Sequence, residues 1–308
     1  MIMANQDQSK LYWIIGGVVG VIVVVALIFG LTRGKKSDET AQAPVESAAP
    51  AKKKRISAPQ NVIALGDRPV VKLRPFSKDG GRFVSIEVQS LGKTATSAEY
   101  EIVYNVIGAN AVDKNGRAIS DFDAEAEGGL QAFIGELDLS QLPTSSENRF
   151  GTCSAGGACI NNSVDYGTLT LNFDAAEKFG VKTNWTYFES AVNRTAMHDG
   201  NFALEAEGLE KAEDYLLMQM MGLPAGIQGE VVMLPDDGRD NGTWPVAYQL
   251  SFTKTPSGLK TGKVDFGSNF GEQVAVYDGQ SWTNYDLMES VPVGADYIYA
   301  LVTVGGGQ

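Results

Sequence analysis

YEIVYNVI, residues Tyr100 to Ile107, keeps the period of two that a half-buried β-strand requires. The same texture extends outward on both sides. Upstream lie RFVSIEVQ (82–89), entered through Lys78-Asp79-Gly80-Gly81, and VVKLRP (70–75). Downstream lie GLQAFIGELDL (129–139), YGTLTLNF (166–173) and the WTYFE run at 185–189. Short strands at close spacing with no helical pattern between them predict a β-sandwich over residues 60–190.

Residues 191–308 continue in the same manner. GEVVML (229–234), PVAYQLSFT (245–253), QVAVY (273–277) and DYIYALVT (296–303) are strand-like, each bounded by Gly, Pro, Asn or Asp. A second sandwich is expected there. GLEKAEDYLLMQMMG (208–222) is the ambiguous segment. Its helix formers are followed by Leu223-Pro224, a fitting helix stop, yet 215–221 is also a continuous apolar run of core-strand length, and periodicity does not separate the two. The strand is preferred. The hairpin at 276–282 uses Asp278-Gly279, a pair suited to tight turns, with Tyr277 and Trp282 on its two flanks. Together with the closing YIYALV run it resembles the final strands of bacterial cell-surface β-sandwich modules.

Ahead of the sandwiches, residues 1–10 form a short polar tail, and 11–31 read LYWIIGGVVGVIVVVALIFGL without a charge. As a helix this stretch spans about 30 Å, the hydrocarbon thickness of a bilayer. It is longer than the apolar region of a signal peptide and ends without a small-x-small cleavage site, so a retained transmembrane helix is expected, anchored by Leu11, Trp13 and Leu31. Residues 32–59, rich in Ala, Pro and Lys, bury nothing and form a flexible tether. The expected fold is therefore mainly β: one N-terminal transmembrane helix, a disordered tether, then two antiparallel, Ig-like β-sandwich domains. Arg33, Lys35 and Lys36 follow the span while Lys10 precedes it, so positive-inside counting opposes export. Long domains translocate largely regardless of that count, and the downstream features favour an extracytoplasmic position.

Charge narrows the partners. Of 25 Lys+Arg and 37 Asp+Glu, 8 and 4 precede Ala58, which leaves 17 and 33 beyond it and a net charge near −16. Such a surface repels phosphate backbones, so no nucleic-acid binding is expected. The basic run Lys52, Lys53, Lys54 and Arg55 in the tether is the exception, suited to anionic envelope polymers, while 11–31 partners the lipid bilayer.

Little stock for chemistry is present. With one histidine, His198, and two cysteines, a His-based zinc site cannot be assembled without heavy use of carboxylates, and His198 in the turn-like MHDGN is a poor triad member. Cys153 and Cys159 flank Ser154-Ala155-Gly156-Gly157-Ala158, a spacing that lets a hairpin close a disulfide. Asn-x-Ser/Thr sequons begin at Asn161, Asn184, Asn193 and Asn241. Weak calcium candidates are Asp121 and Asp123 in one acidic run and Asp236, Asp237 and Asp240 in another, neither in EF-hand order. No cofactor and no catalytic residue is expected. The expectation is a membrane-anchored, extracytoplasmic envelope protein acting as a binding, adhesion or structural module without catalysis. The alternatives are an inner-membrane subunit of a secretion or pilus-type machine, and an anchored hydrolase using paired carboxylates.

Overall fold

The computed structural model describes residues 63–112, 117, 129–154, 157–190, 192–234 and 243–304. The expected anchor (Leu11, Trp13, Leu31), the tether and its basic run lie outside these residues. Among the described residues no helix is long and apolar enough to cross a membrane.

The chain is mainly β, as the alternating runs imply. Eight strands come first: β1 (Val70–Lys78), β2 (Gly81–Ser90), β3 (Ala95–Val112), β4 (Gly129–Asp138), β5 (Thr144–Arg149), β6 (Gly151–Cys153), β7 (Cys159–Ala175) and β8 (Phe179–Phe188). Then follow β9 (Arg194–Ala196), β10 (Ala203–Ala206), β11 (Tyr215–Gln219), β12 (Glu230–Val231), β13 (Met233–Leu234) and β14 (Trp244–Pro245). The last six are β15 (Ala247–Phe252), β16 (Thr261–Asp265), β17 (Gln273–Tyr277), β18 (Trp282–Asp286), β19 (Val291–Pro292) and β20 (Tyr297–Thr303). All the pairings are antiparallel.

One 11-stranded sheet carries the architecture, in the order β18-β17-β20-β15-β11-β8-β7-β3-β4, with β12 on β20 and β6 on β7. It is continuous across residue 190, because β8 pairs with β11 from Tyr215↔Phe188 to Met218↔Trp185. A three-stranded sheet, β1-β2-β5, and a four-stranded sheet, β19-β16-β10-β9, pack against it.

β11 shows which face each cover takes. Every residue of its YLLMQ sequence is buried. Leu216 and Met218 enter the core with Val71, Leu73, Val84 and Ile86 of the three-stranded sheet, whereas Tyr215 and Leu217 enter the core with Leu204 and Val291 of the four-stranded one. Neighbouring side chains of a strand point to opposite faces, so the two covers sit on opposite sides of the shared sheet. The result is a pair of sandwich-like layers opening in opposite directions. The segment that periodicity left open is thus a strand preceded by one 3-10 turn, Leu209–Lys211.

Two glycines explain local turns and packing. Asp79 (φ 51°) and Gly80 (φ 67°) make a two-residue turn between paired Lys78 and Gly81, the left-handed pair that type I′ hairpins require. Gly167 lies under Trp185, where an added Cβ would collide with the indole ring and the Val103 carbonyl. The expected tight turn at Asp278-Gly279 is a four-residue loop instead. Tyr277 pairs with Trp282, and the Asp278 carboxylate accepts the N–H groups of Gln280 and Ser281, both at 2.9 Å. Those bonds hold its carboxyl below the usual aspartate range.

Buried Arg68 fastens the segment before β1 to the far half of the sheet. It donates to the Ile63 carbonyl at 3.0 Å, the Thr243 carbonyl at 2.8 Å and Thr243 Oγ1 at 3.1 Å. Burial pulls its pKa down to about 10, and the guanidinium stays charged at neutral pH.

Candidate functional site

Of the residues singled out in the sequence, the cysteines are brought together. Cys153 and Cys159 stand directly opposite at the start of the β6–β7 pairing and form a disulfide. The calcium candidates Asp121, Asp123, Asp236, Asp237 and Asp240 lie outside the described residues, as does the Asn241 sequon. Among the described residues no group of three or more His, Cys, Asp or Glu side chains is arranged to hold a metal.

His198 sits in an exposed turn, its ring stacked on Tyr166 at 3.7 Å between centroids and its backbone N–H donated to Thr186 Oγ1 at 2.8 Å. The sequons differ sharply in access. Asn161 is buried, accepting from Arg149 at 2.7 Å and donating to the Gly80 carbonyl at 2.9 Å, whereas Asn193 is exposed.

Two ionic clusters join the layers. Arg74 on β1 reaches Glu87 on β2 and Asp296 before β20, each at 2.9 Å. The Asp296 carboxylate also accepts from Ser251 at 2.9 Å and from Gln249 at 3.2 Å. Lys72, 3% exposed, lies in the same field, and desolvation pulls its pKa down against the opposing pull of Asp296. Arg82 on β2 clamps Asp214 and Glu189, both at 3.3 Å, and the nearby Tyr187 phenol is held neutral by burial and by the Asp214 charge. Each arginine is matched by two carboxylates, so these clusters are interlayer clasps.

A cleft of about 560 Å³ on the four-stranded sheet has room for a ligand. Its lining includes Asn193, Glu205, Glu207, Glu210, Lys263 and Ser290. The local sequence explains the arrangement. In β10, Leu204 and Ala206 point into the core, which turns Glu205 outward, and exposed Glu207 follows in the same alternation. In β16, Gly262 and half-buried Val264 point inward, which turns Thr261, Lys263 and Asp265 outward. Glu205 and Lys263 are paired in register. Glu210 is held by accepting the Gly208 N–H at 2.8 Å.

Three carboxylates against one ammonium make a cation-attracting surface that recognises by charge and hydrogen bonding. Sequence reasoning missed it because ALEA and TGKVD are too short to show a period, and neither carries a motif. No family model, no characterised protein and no solved structure matches this chain.

Proposed function

We propose that the chain is a membrane-anchored protein of the cell envelope. Its folded part stands outside the cytoplasm and acts as a binding, adhesion or structural module without catalysis. In this reading residues 11–31 hold the protein in the bilayer, and 32–59 form the tether, whose Lys52–Arg55 run contacts anionic envelope polymers. Two antiparallel, Ig-like sandwich domains, 60–190 and 191–308, carry the exposed surface and share the long sheet.

The observation that supports this most is the Cys153–Cys159 bridge. Disulfides persist in oxidising compartments, and this one closes too short a loop to supply most of the domain's stability, so its compartmental meaning outweighs its energetic one. The acidic folded part agrees with a protein that must stay soluble at high local density on a surface.

The test is thiol labelling of intact cells with a membrane-impermeant maleimide, with and without an impermeant reductant. Labelling of Cys153 and Cys159 that requires reduction but no lysis is the expected result. Labelling that requires lysis overturns the reading.

A further inference from the structure

We propose that the outer face of the four-stranded sheet, with the two connectors at its end, docks a basic amphipathic segment of a partner protein. The proposal rests on the binding-module reading and names its surface.

Two large apolar side chains are almost fully in water, Phe270 at 90% and Met288 at 92% exposure. Phe270 lies in the connector from β16 to β17 and Met288 in the connector from β18 to β19. Both connectors cross between the two sheets at one end of the sandwich. The register requires this, because the start of β17 pairs with the end of β18 (Gln273↔Asp286) and the start of β19 pairs with β16 (Gly262↔Val291). Val304, 52% exposed, reaches the same end through its N–H bond to Glu272 at 2.6 Å. Isolated surface hydrophobes need no explanation, but three gathered at one end do.

The surroundings decide the partner. Met288 lies two residues before Ser290, which lines the cleft holding Glu205, Glu207 and Glu210. Asp265, Glu272, Asp286 and Glu289 are exposed around the connectors. Among the cations here, Lys263 faces Glu205 in register and Arg194 is paired with Asp265 at 3.5 Å. The surface thus combines apolar anchors with an excess of carboxylates. An anionic lipid surface would be repelled, and so would a second copy of this face. A segment with apolar side chains on one side and Lys or Arg on the other meets both requirements, with Phe270 and Met288 as anchors and the carboxylates setting orientation and encounter rate.

The test uses the full chain in neutral-lipid nanodiscs, with empty discs as the background. The probe is a fluorescein-labelled 14-residue peptide of Leu and Lys patterned as an amphipathic helix, beside its Leu/Glu counterpart. Binding is read by anisotropy, and phosphatidylglycerol vesicles are tested by co-sedimentation. The expected result is salt-sensitive binding of the Leu/Lys peptide alone. The double variant F270S/M288S, whose side chains make little contact with the core, should bind about tenfold more weakly with an unchanged melting temperature. E205Q/E207Q/E210Q should bind more weakly and with a flatter salt dependence. Absence of binding, binding indifferent to both sets of substitutions, or sedimentation with the vesicles that F270S/M288S abolishes overturns this surface. None of these outcomes alters the cell-labelling result, and a reversed topology leaves the peptide measurement standing.

Discussion

Asp296 is the residue on which the first interlayer clasp turns. It adopts φ 63°, a left-handed backbone that Asp tolerates better than most residues, and its carboxylate serves Arg74, Gln249 and Ser251 at once. Asp296→Ala should lose about 2–3 kcal/mol in urea unfolding, since the buried polar groups lose their acceptor and Ala is strained at that φ. Asp296→Asn should lose less. Lys72, in the same cluster, behaves in the opposite sense. Its folded pKa is lowered, chiefly by desolvation, so between the folded value and 10.5 the unfolded chain binds more protons and stability rises with pH. Below the folded value the full penalty remains. Lys72→Met should therefore be neutral or stabilising by about 1–2 kcal/mol at pH 7, with the difference from wild type shrinking as pH approaches 10.5. A loss of stability at pH 7 that persists unchanged at pH 10 would contradict this sign. Neither residue stood out in the sequence, because Arg74 and Asp296 are 222 positions apart and only the fold makes them neighbours.

At the scale of elements, β11 is the strand that both cores need. Leu216 and Leu217 are each 0% exposed, one per face, beneath different covers. Leu216→Ala and Leu217→Ala should each cost about 2–4 kcal/mol by denaturant titration, through lost burial and the cavity left behind. A helix would have placed these neighbours about 100° apart on one surface, and near-equal costs are a signature of the strand. This segment was ambiguous in the sequence for a physical reason: burial on both faces removes the polar alternation that distinguishes a strand from a buried helix. The half-buried strands β2 and β3 kept that alternation and were legible. The short β9, β10 and β16 and the polar β5 (TSSENR) carried too few apolar residues to register, and the cleft that β10 and β16 help build went unread with them.

For the whole molecule, the mainly β, antiparallel character was legible, but the one long sheet that runs across residue 190 was not, since nothing in a strand's own residues says which other strand it will pair with. The sharing has a thermodynamic consequence. The core under the three-stranded sheet includes Leu216, Met218 and Met221, all from beyond residue 190, so residues 60–190 alone would leave part of that core in water. Arg68, Arg74 and Arg82 add ties from the early strands to residues 243, 296 and 214. Layers coupled in this way should unfold as one cooperative unit. Trp185 lies in one core, and Trp282 packs against the cluster containing Val302. In each variant of the full chain that retains one or the other as the sole tryptophan, the urea midpoint by fluorescence should coincide with that by far-UV circular dichroism. Leu216→Ala, which touches only the first core, should move both midpoints by the same amount. If Trp282 kept its midpoint while that of Trp185 fell, the two ends of the long sheet would unfold independently, and its continuity across residue 190 would carry little energy.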